Sequence, residues 1–202
     1  MVKGKQIFKI EDENTIEETL NACEYGTLAL CENNIPYSVP VNFVYINGDI
    51  YFHGGMKGRK IDTLKQNSNV SFSVVQAHSM IQSYFRVDSG YACPATQFFK
   101  SITFDGIASF VDDFDEKAKV LEVLMVKLQS EGGYKKIQNN EMYEKMLKVT
   151  SIVKIQTKIK TAKFKFGQNL SDEQFESVLK HLDDRDASID NETIKQMKEY
   201  RK

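Results

Sequence analysis

YFHGGMKGRKID, residues 51–62, joins the end of an apolar run to the start of a helix. His53 closes the run, Gly54 and Gly55 follow, and Gly58, Arg59 and Lys60 open the next element. Glycines let backbone N–H groups come close to a ligand. A helix start presents unpaired N–H groups and a partial positive charge. Arg59 adds a planar fork suited to phosphate oxygens, and Lys60 adds a compact charge. His53 can donate a hydrogen bond or pack against the ligand. The segment reads as an anion site; the alternative is a strand-to-helix loop with solvated basic residues. Its spacing is neither that of a Walker A loop nor G-x-G-x-x-G.

The residues before it sharpen the question. PYSVPVNFVY (36–45) puts Tyr37, Val39, Val41, Phe43 and Tyr45 on one face and Ser38, Pro40, Asn42 and Val44 on the other. Asn47-Gly48 supplies the positive-φ residues of a tight hairpin, and IYFHGG (50–55) is the return strand. Pro40 has no N–H to give to a ladder, yet it sits inside the alternation. Either this is an edge strand protected by a proline, or the ladder is interrupted there. An interruption leaves the backbone of Val41 and Asn42 open to a planar polar ligand.

Further out, Thr15-Ile16-Glu17-Glu18 reads as a capping box that starts the first helix. Strands are expected at 26–32, 70–75, 98–111 (with Gly106 as a bulge) and 150–166, and residues 80–92 read as extended. In the last of these strands Val153, Ile155 and Ile159 alternate with lysines. Helices are expected at about 58–67, from the acidic run at 112 to 128, at 139–148, after the Ser171–Gln174 capping box, and at 191–201. Strict β-α-β alternation is missing, which argues against a parallel Rossmann sheet. The pattern fits a mainly β (α+β) chain: an antiparallel closed or split barrel with peripheral helices. Residues 1–166 read as the barrel domain and 167–202 as a helical extension packed on it.

The chain has 202 residues, 41% hydrophobic and 27% charged, with net charge −1. There is no global basic field, so nucleic acid is not an expected partner. The lysines of 154–165 read as the solvent face of a strand. The N-terminus has no long apolar region, and no apolar run approaches the ~20 residues that span a bilayer. Residues 120–128 are interrupted by Glu122 and Lys127 and read as core or dimer contact. Cys23, Cys31 and Cys93 are widely spaced, so each reads as a small buried hydrophobe in a reducing, cytoplasmic compartment. No metal site is expected.

VPVNFVY (39–45), IYFHGGMKGRKIDTL (50–64), NVSFSV (69–74) and KSITFDGIASF (100–110), in this order, resemble the FMN-binding split-barrel flavoproteins. These form the pyridoxamine 5′-phosphate oxidase-like superfamily, and the resemblance is greatest to the nitroimidazole-resistance group. It covers about residues 15–165. The resemblance implies that backbone at Pro40, Val41 and Asn42 faces the flavin ring. It implies that His53 and Gly54 lie beside the flavin and its ribityl phosphate, that Arg59 and Lys60 bind the phosphate, and that Ser101 reaches the flavin or its tail. It also implies a homodimer with FMN at the interface. The 77–97 segment would border the ring, with His78, Tyr84, Arg86, Tyr91 and Cys93 as residues that could meet a substrate, or that only pack or face solvent.

The chain departs from true pyridoxamine phosphate oxidases, whose C-terminal substrate pattern it lacks. Its K-F-K-x-x-Q-N pattern at 163–169 looks more like that of flavoproteins related to Pai-type regulators. Flavin carries its own redox chemistry, so the absence of a catalytic triad is no argument against activity. The expectation is an FMN-dependent oxidoreductase of the nitro- or quinone-reductase kind, with a small electron donor and acceptor. The alternatives are a flavin-binding sensor or regulator without turnover and, with less support from the residues, a haem-handling barrel.

Overall fold

The structure is a computed structural model and describes residues 6–86 and 90–201. Its strands are β1 (Lys9–Ile10), β2 (Tyr25–Glu32), β3 (Ile35–Ile46), β4 (Asp49–Gly55), β5 (Asn69–Ile81), β6 (Thr96–Val111) and β7 (Thr150–Lys165). Its helices are α1 (Glu13–Ala22), α2 (Arg59–Gln66), α3 (Phe114–Leu128), α4 (Glu141–Val149), α5 (Asp172–Arg185) and α6 (Asp190–Tyr200). The strands run β1-β7-β4-β3-β2-β5-β6, and β6 also pairs with β7. Strands β2 to β7 thus close a ring, the expected barrel, and every registered pairing is antiparallel.

The contacts divide the chain into two compact units. The larger comprises 12–74 and 102–161. Two hairpin turns set its register. Asn33-Asn34 and Asn47-Gly48 all have positive φ, as a two-residue turn matched to strand twist requires. One strand face carries Phe43, Ile50, Phe52, Phe72 and Phe104, all at most 1% exposed. Burial of each such side chain stabilises by about 1.5–3 kcal/mol. Gly26 makes this possible on β2, because a Cβ there would overlap the Phe72 ring. The opposite face packs Val44, Tyr51 and Ile152 against Val120, Leu121 and Leu124 of α3 and Leu147 of α4. The C-terminal half of β3 is therefore buried on both sides, and Val44 is not a solvent-side residue. The outer stripe of α3, Val126 and Leu128, stays exposed. Buried Lys117 donates to the Leu147 and Thr150 carbonyls and so caps the C-terminus of α4.

Several details depart from expectation. The first helix starts at Glu13, not Thr15: the Asp12 carboxylate accepts from Thr15 N–H and is the N-cap. Ile159 is exposed, because the inward parity of β7 changes from Val153 and Ile155 to Ala162 and Phe164. Gly106 lies where β6 meets β7, and a Cβ there would overlap the Gln156 carbonyl. Of the cysteines only Cys23 is buried; Cys93 is exposed.

The smaller unit comprises 6–11, 75–86, 90–101 and 162–201. β1 pairs with β7 at Lys9↔Lys163 and Ile10↔Ala162. The Ser171–Gln174 capping box starts α5 as expected. Asp190, 1% exposed, accepts from Arg185, Ser79 and the Ala187 N–H. Thr193 binds Ser79, and Arg185 also donates to the Met80 carbonyl. His78 is 4% exposed and stands edge-on to Phe166, whose ring stacks on Tyr200. Residues 80–92 are not one extended run: β5 ends at Ile81, a 3-10 turn spans Ser83–Phe85, and 87–89 lie outside the described residues.

Candidate functional site

The site is built where two neighbouring strands part. β3 pairs with β4 from Ile46↔Asp49 to Phe43↔Phe52, and the ladder goes no further. Upstream of Phe43, β3 continues on its other edge against β2, with Asn42 opposite Tyr25, Val41 opposite Gly26 and Pro40 opposite Thr27. Downstream of Phe52, β4 continues on its other edge against β7, with His53 opposite Ile152 and Gly54 opposite Ser151. Pro40–Asn42 and His53–Gly55 therefore each keep one strand edge outside the ladder, facing the same parting. Pro40 suits that place, since it has no N–H to lose there. The Asn42 side chain turns away and donates to the Glu24 carbonyl.

The loop after β4 carries the cations. Gly58 has φ 115° and ψ 165°, a conformation open only to glycine, and precedes α2 without any side-chain cap. The first N–H groups of α2 thus keep their donors free of side-chain acceptors. A Cβ at Gly55 or Gly58 would meet nothing within 4 Å, so the space beside this backbone is open. Lys60 reaches back over β4: its Nζ lies 5.1 Å from the Phe52 ring centroid and 3.3 Å from where a Gly54 Cβ would stand. Desolvation lowers the Lys60 pKa, and among the described residues no carboxylate pairs with it. The His53 ring is open to solvent, yet partial desolvation, and then the Lys60 charge, lower its pKa and keep it neutral at pH 7.

Arg59 points elsewhere. Its guanidinium lies 4.2 Å from the Tyr37 ring centroid, and its Nε donates to Glu32 at 3.1 Å. The two terminal nitrogens keep their donors. The structure thus brings His53, Gly54 and Lys60 together and holds Arg59 against the β2–β3 hairpin. Ser101 belongs to the smaller unit, where its hydroxyl donates to the Lys163 carbonyl. Sequence reading missed Glu32, Tyr37 and Phe52 as supports; the only available signal was the hairpin that sets their register. An uncapped helix start, an open strand edge and an unpaired lysine fit a planar ligand that ends in a phosphate. Among the described residues no group of three His, Cys, Asp or Glu side chains could hold a metal.

A sequence model for pyridoxamine 5′-phosphate oxidase matches residues 12–164. The chain belongs to this family. As an oxidase-family barrel it resembles a candidate 5-nitroimidazole antibiotic resistance protein from Bacteroides thetaiotaomicron, at 25% identity and TM-score 0.61. That match covers 77% of this chain and 85% of the other. It shares its fold with a flavocytochrome from Azotobacter vinelandii, at 18% identity and TM-score 0.66, covering 81% and 72%. It also shares it with an FAD and haem binding protein from Mycobacterium smegmatis, at 15% and 0.62, covering 77% and 72%. No curated protein matches. The expected split-barrel membership and the likeness to the nitroimidazole-resistance group are both met. Among the described residues of this oxidase-family chain, no helix is long and apolar enough to cross a membrane.

Proposed function

We propose that the chain binds FMN along the parting of β3 and β4 and works as a flavin-dependent oxidoreductase. The observation that carries this reading is the end of the ladder at Phe43↔Phe52, beside an uncapped helix start and Lys60. In this reading the backbone of Pro40, Val41 and Asn42 meets the ring, and His53 and Gly54 flank the tail. Lys60 and the first N–H groups of α2 take the phosphate. Arg59 is assigned to the same phosphate on the family resemblance; Glu32 engages only its Nε, so its two terminal nitrogens keep their donors. Ser101 is assigned a further contact with the flavin on the family resemblance. The same resemblance supports a homodimer with FMN at the interface, and a small electron donor and acceptor.

Bound FMN supplies electron transfer at its ring, so the chain needs no nucleophile of its own. The protein's part is to bind, orient and set the local charge. Neutral His53 adds no charge there, and Lys60 places its charge at the tail.

The test is reduction of the FMN-loaded protein under anaerobic conditions, followed by rapid mixing with nitroaromatic and quinone acceptors. Reoxidation of the flavin by one of these classes, well above the rate without acceptor, is the expected result. Bound FMN that no acceptor reoxidises would leave a flavin-binding sensor and remove the oxidoreductase.

A further inference from the structure

Within the larger unit, β3 changes partners between two consecutive residues. Asn42 is its last residue to pair with β2, opposite Tyr25 where β2 begins, and Phe43 is its first to pair with β4, opposite Phe52. The two tight hairpins fix which way each backbone group turns. Their closing pairs, Glu32↔Ile35 and Ile46↔Asp49, are of the hydrogen-bonded kind, and that kind recurs at every second residue of an antiparallel ladder. Counted from either hairpin, Val41 and Phe43 turn their N–H and C=O toward the β2 side, and Asn42 and Val44 toward the β4 side. Val41 finds Gly26 there and Val44 finds Tyr51. Asn42 meets the open parting, and Phe43 looks past the end of β2.

The Phe43 carbonyl left over at this handover is taken by Lys127, the residue that interrupts the apolar run of α3. Its Nζ donates to the Phe43 carbonyl at 3.1 Å and to the Leu20 carbonyl at 3.0 Å. Leu20 lies in the last turn of α1, where the helix dipole favours a cation. The same ammonium stands 4.0 Å from the Phe43 ring centroid. Burial pushes the Lys127 pKa down to about 8, against the opposing pull of Cys23 and Glu24, so the side chain is still charged at pH 7. Charged donors make the stronger hydrogen bonds. One side chain thus ties α1, α3 and β3 together at the residue where the β3–β4 ladder ends.

We propose that Lys127 is a positioning residue for the ligand edge of β3. By holding the Phe43 carbonyl back toward α1, it fixes the N–H and C=O of the adjoining Asn42 toward the parting. The identity of the ligand as a flavin ring rests on the reading above; the brace itself does not.

Two measurements at pH 7 test it, with Lys127→Met, which keeps most of the aliphatic stem and removes the donors. In the flavin-free protein, amide exchange at Val41 and Val44, on either side of the handover, rises about tenfold, as loss of a charged hydrogen bond allows. Ile46, beside the hairpin turn, keeps its rate, and circular dichroism is unchanged. Lys127→Gln takes the place of Lys127→Met if the latter does not fold. In titrations with FMN and with riboflavin, Lys127→Met weakens both by the same factor, about tenfold, because the ring edge serves both ligands. Lys60→Met weakens FMN alone. Lys127→Arg, which keeps the charge and the donors, restores both affinities. Unchanged exchange at Val41 and Val44 would overturn the proposal, and so would undiminished riboflavin binding to Lys127→Met. Wild-type protein that binds neither flavin would remove the flavin reading and the positioning role with it, while the exchange rates would still show whether the brace exists.

Discussion

The Lys60 ammonium stands over the Phe52 ring, 5.1 Å from its centroid, at the residue where the β3–β4 ladder ends. Its sequence neighbour Arg59 leans the other way, onto Tyr37 and Glu32. These two adjacent cations at the start of α2 thus take different surroundings: Arg59 is tethered to a carboxylate, and among the described residues Lys60 is not.

The two therefore differ in what they contribute. Lys60→Met is expected to weaken FMN binding by about 10- to 100-fold, roughly 1.4–2.7 kcal/mol. Arg59→Ala weakens it less, because Glu32 already engages the guanidinium. The double variant loses most affinity with its circular dichroism unchanged. Quenching of FMN fluorescence on titration measures all three. Stoichiometric, tight FMN in the double variant would refute the phosphate assignment.

Gly58→Ala puts a Cβ on a backbone at φ 115° and ψ 165°. Nothing crowds the site, so the cost is conformational and amounts to about 1–3 kcal/mol. Urea unfolding gives the value. A loss below a few tenths would mean that the turn before α2 relaxes without strain.

Asp190 is the buried hub that joins Arg185, Ser79 and the start of α6. Asp190→Ala leaves the Arg185 guanidinium without its carboxylate and is expected to cost about 3–5 kcal/mol. Amide exchange should then rise first in α6. Uniform exchange with unchanged stability would contradict the hub.

His78 makes stability fall in acid. Its burial, and then Lys100, push its pKa down to about 4 from an ordinary 6.5. Between those values the unfolded chain binds the extra proton. The contribution is therefore complete above pH 6.5 and is lost as pH falls toward 4, by about 3 kcal/mol in total. The Asp190 carboxyl, held below its usual range by Arg185, adds a loss of the same sign at lower pH. His78→Leu should flatten the slope of unfolding free energy between pH 6.5 and 4. An unchanged slope would mean that His78 does not carry it.

Much of this was legible in residues. Period-2 alternation and the Asn-rich turns announced the hairpins, because register and positive φ leave strong local marks. Pro40 left an edge strand and a ladder break both open, of which the structure shows the break, and GGMKGRK marked the start of α2. Contacts distant in sequence left no mark. Nothing local to Arg59 says that Glu32, 27 positions away, will hold it. Nothing in the lysines of β7 distinguishes Lys154 and Lys160, paired with Asp49 and Glu13, from Lys163. The parity change of β7 was hidden for the same reason: it depends on which strand pairs with which stretch.

The most direct measurement is the absorption spectrum of the purified protein, with chromatography of whatever heat releases from it. A yellow protein that releases FMN, or a colourless one that takes up added FMN in equimolar amount, is the predicted result. A protein that is colourless and binds no added FMN would contradict the central claim.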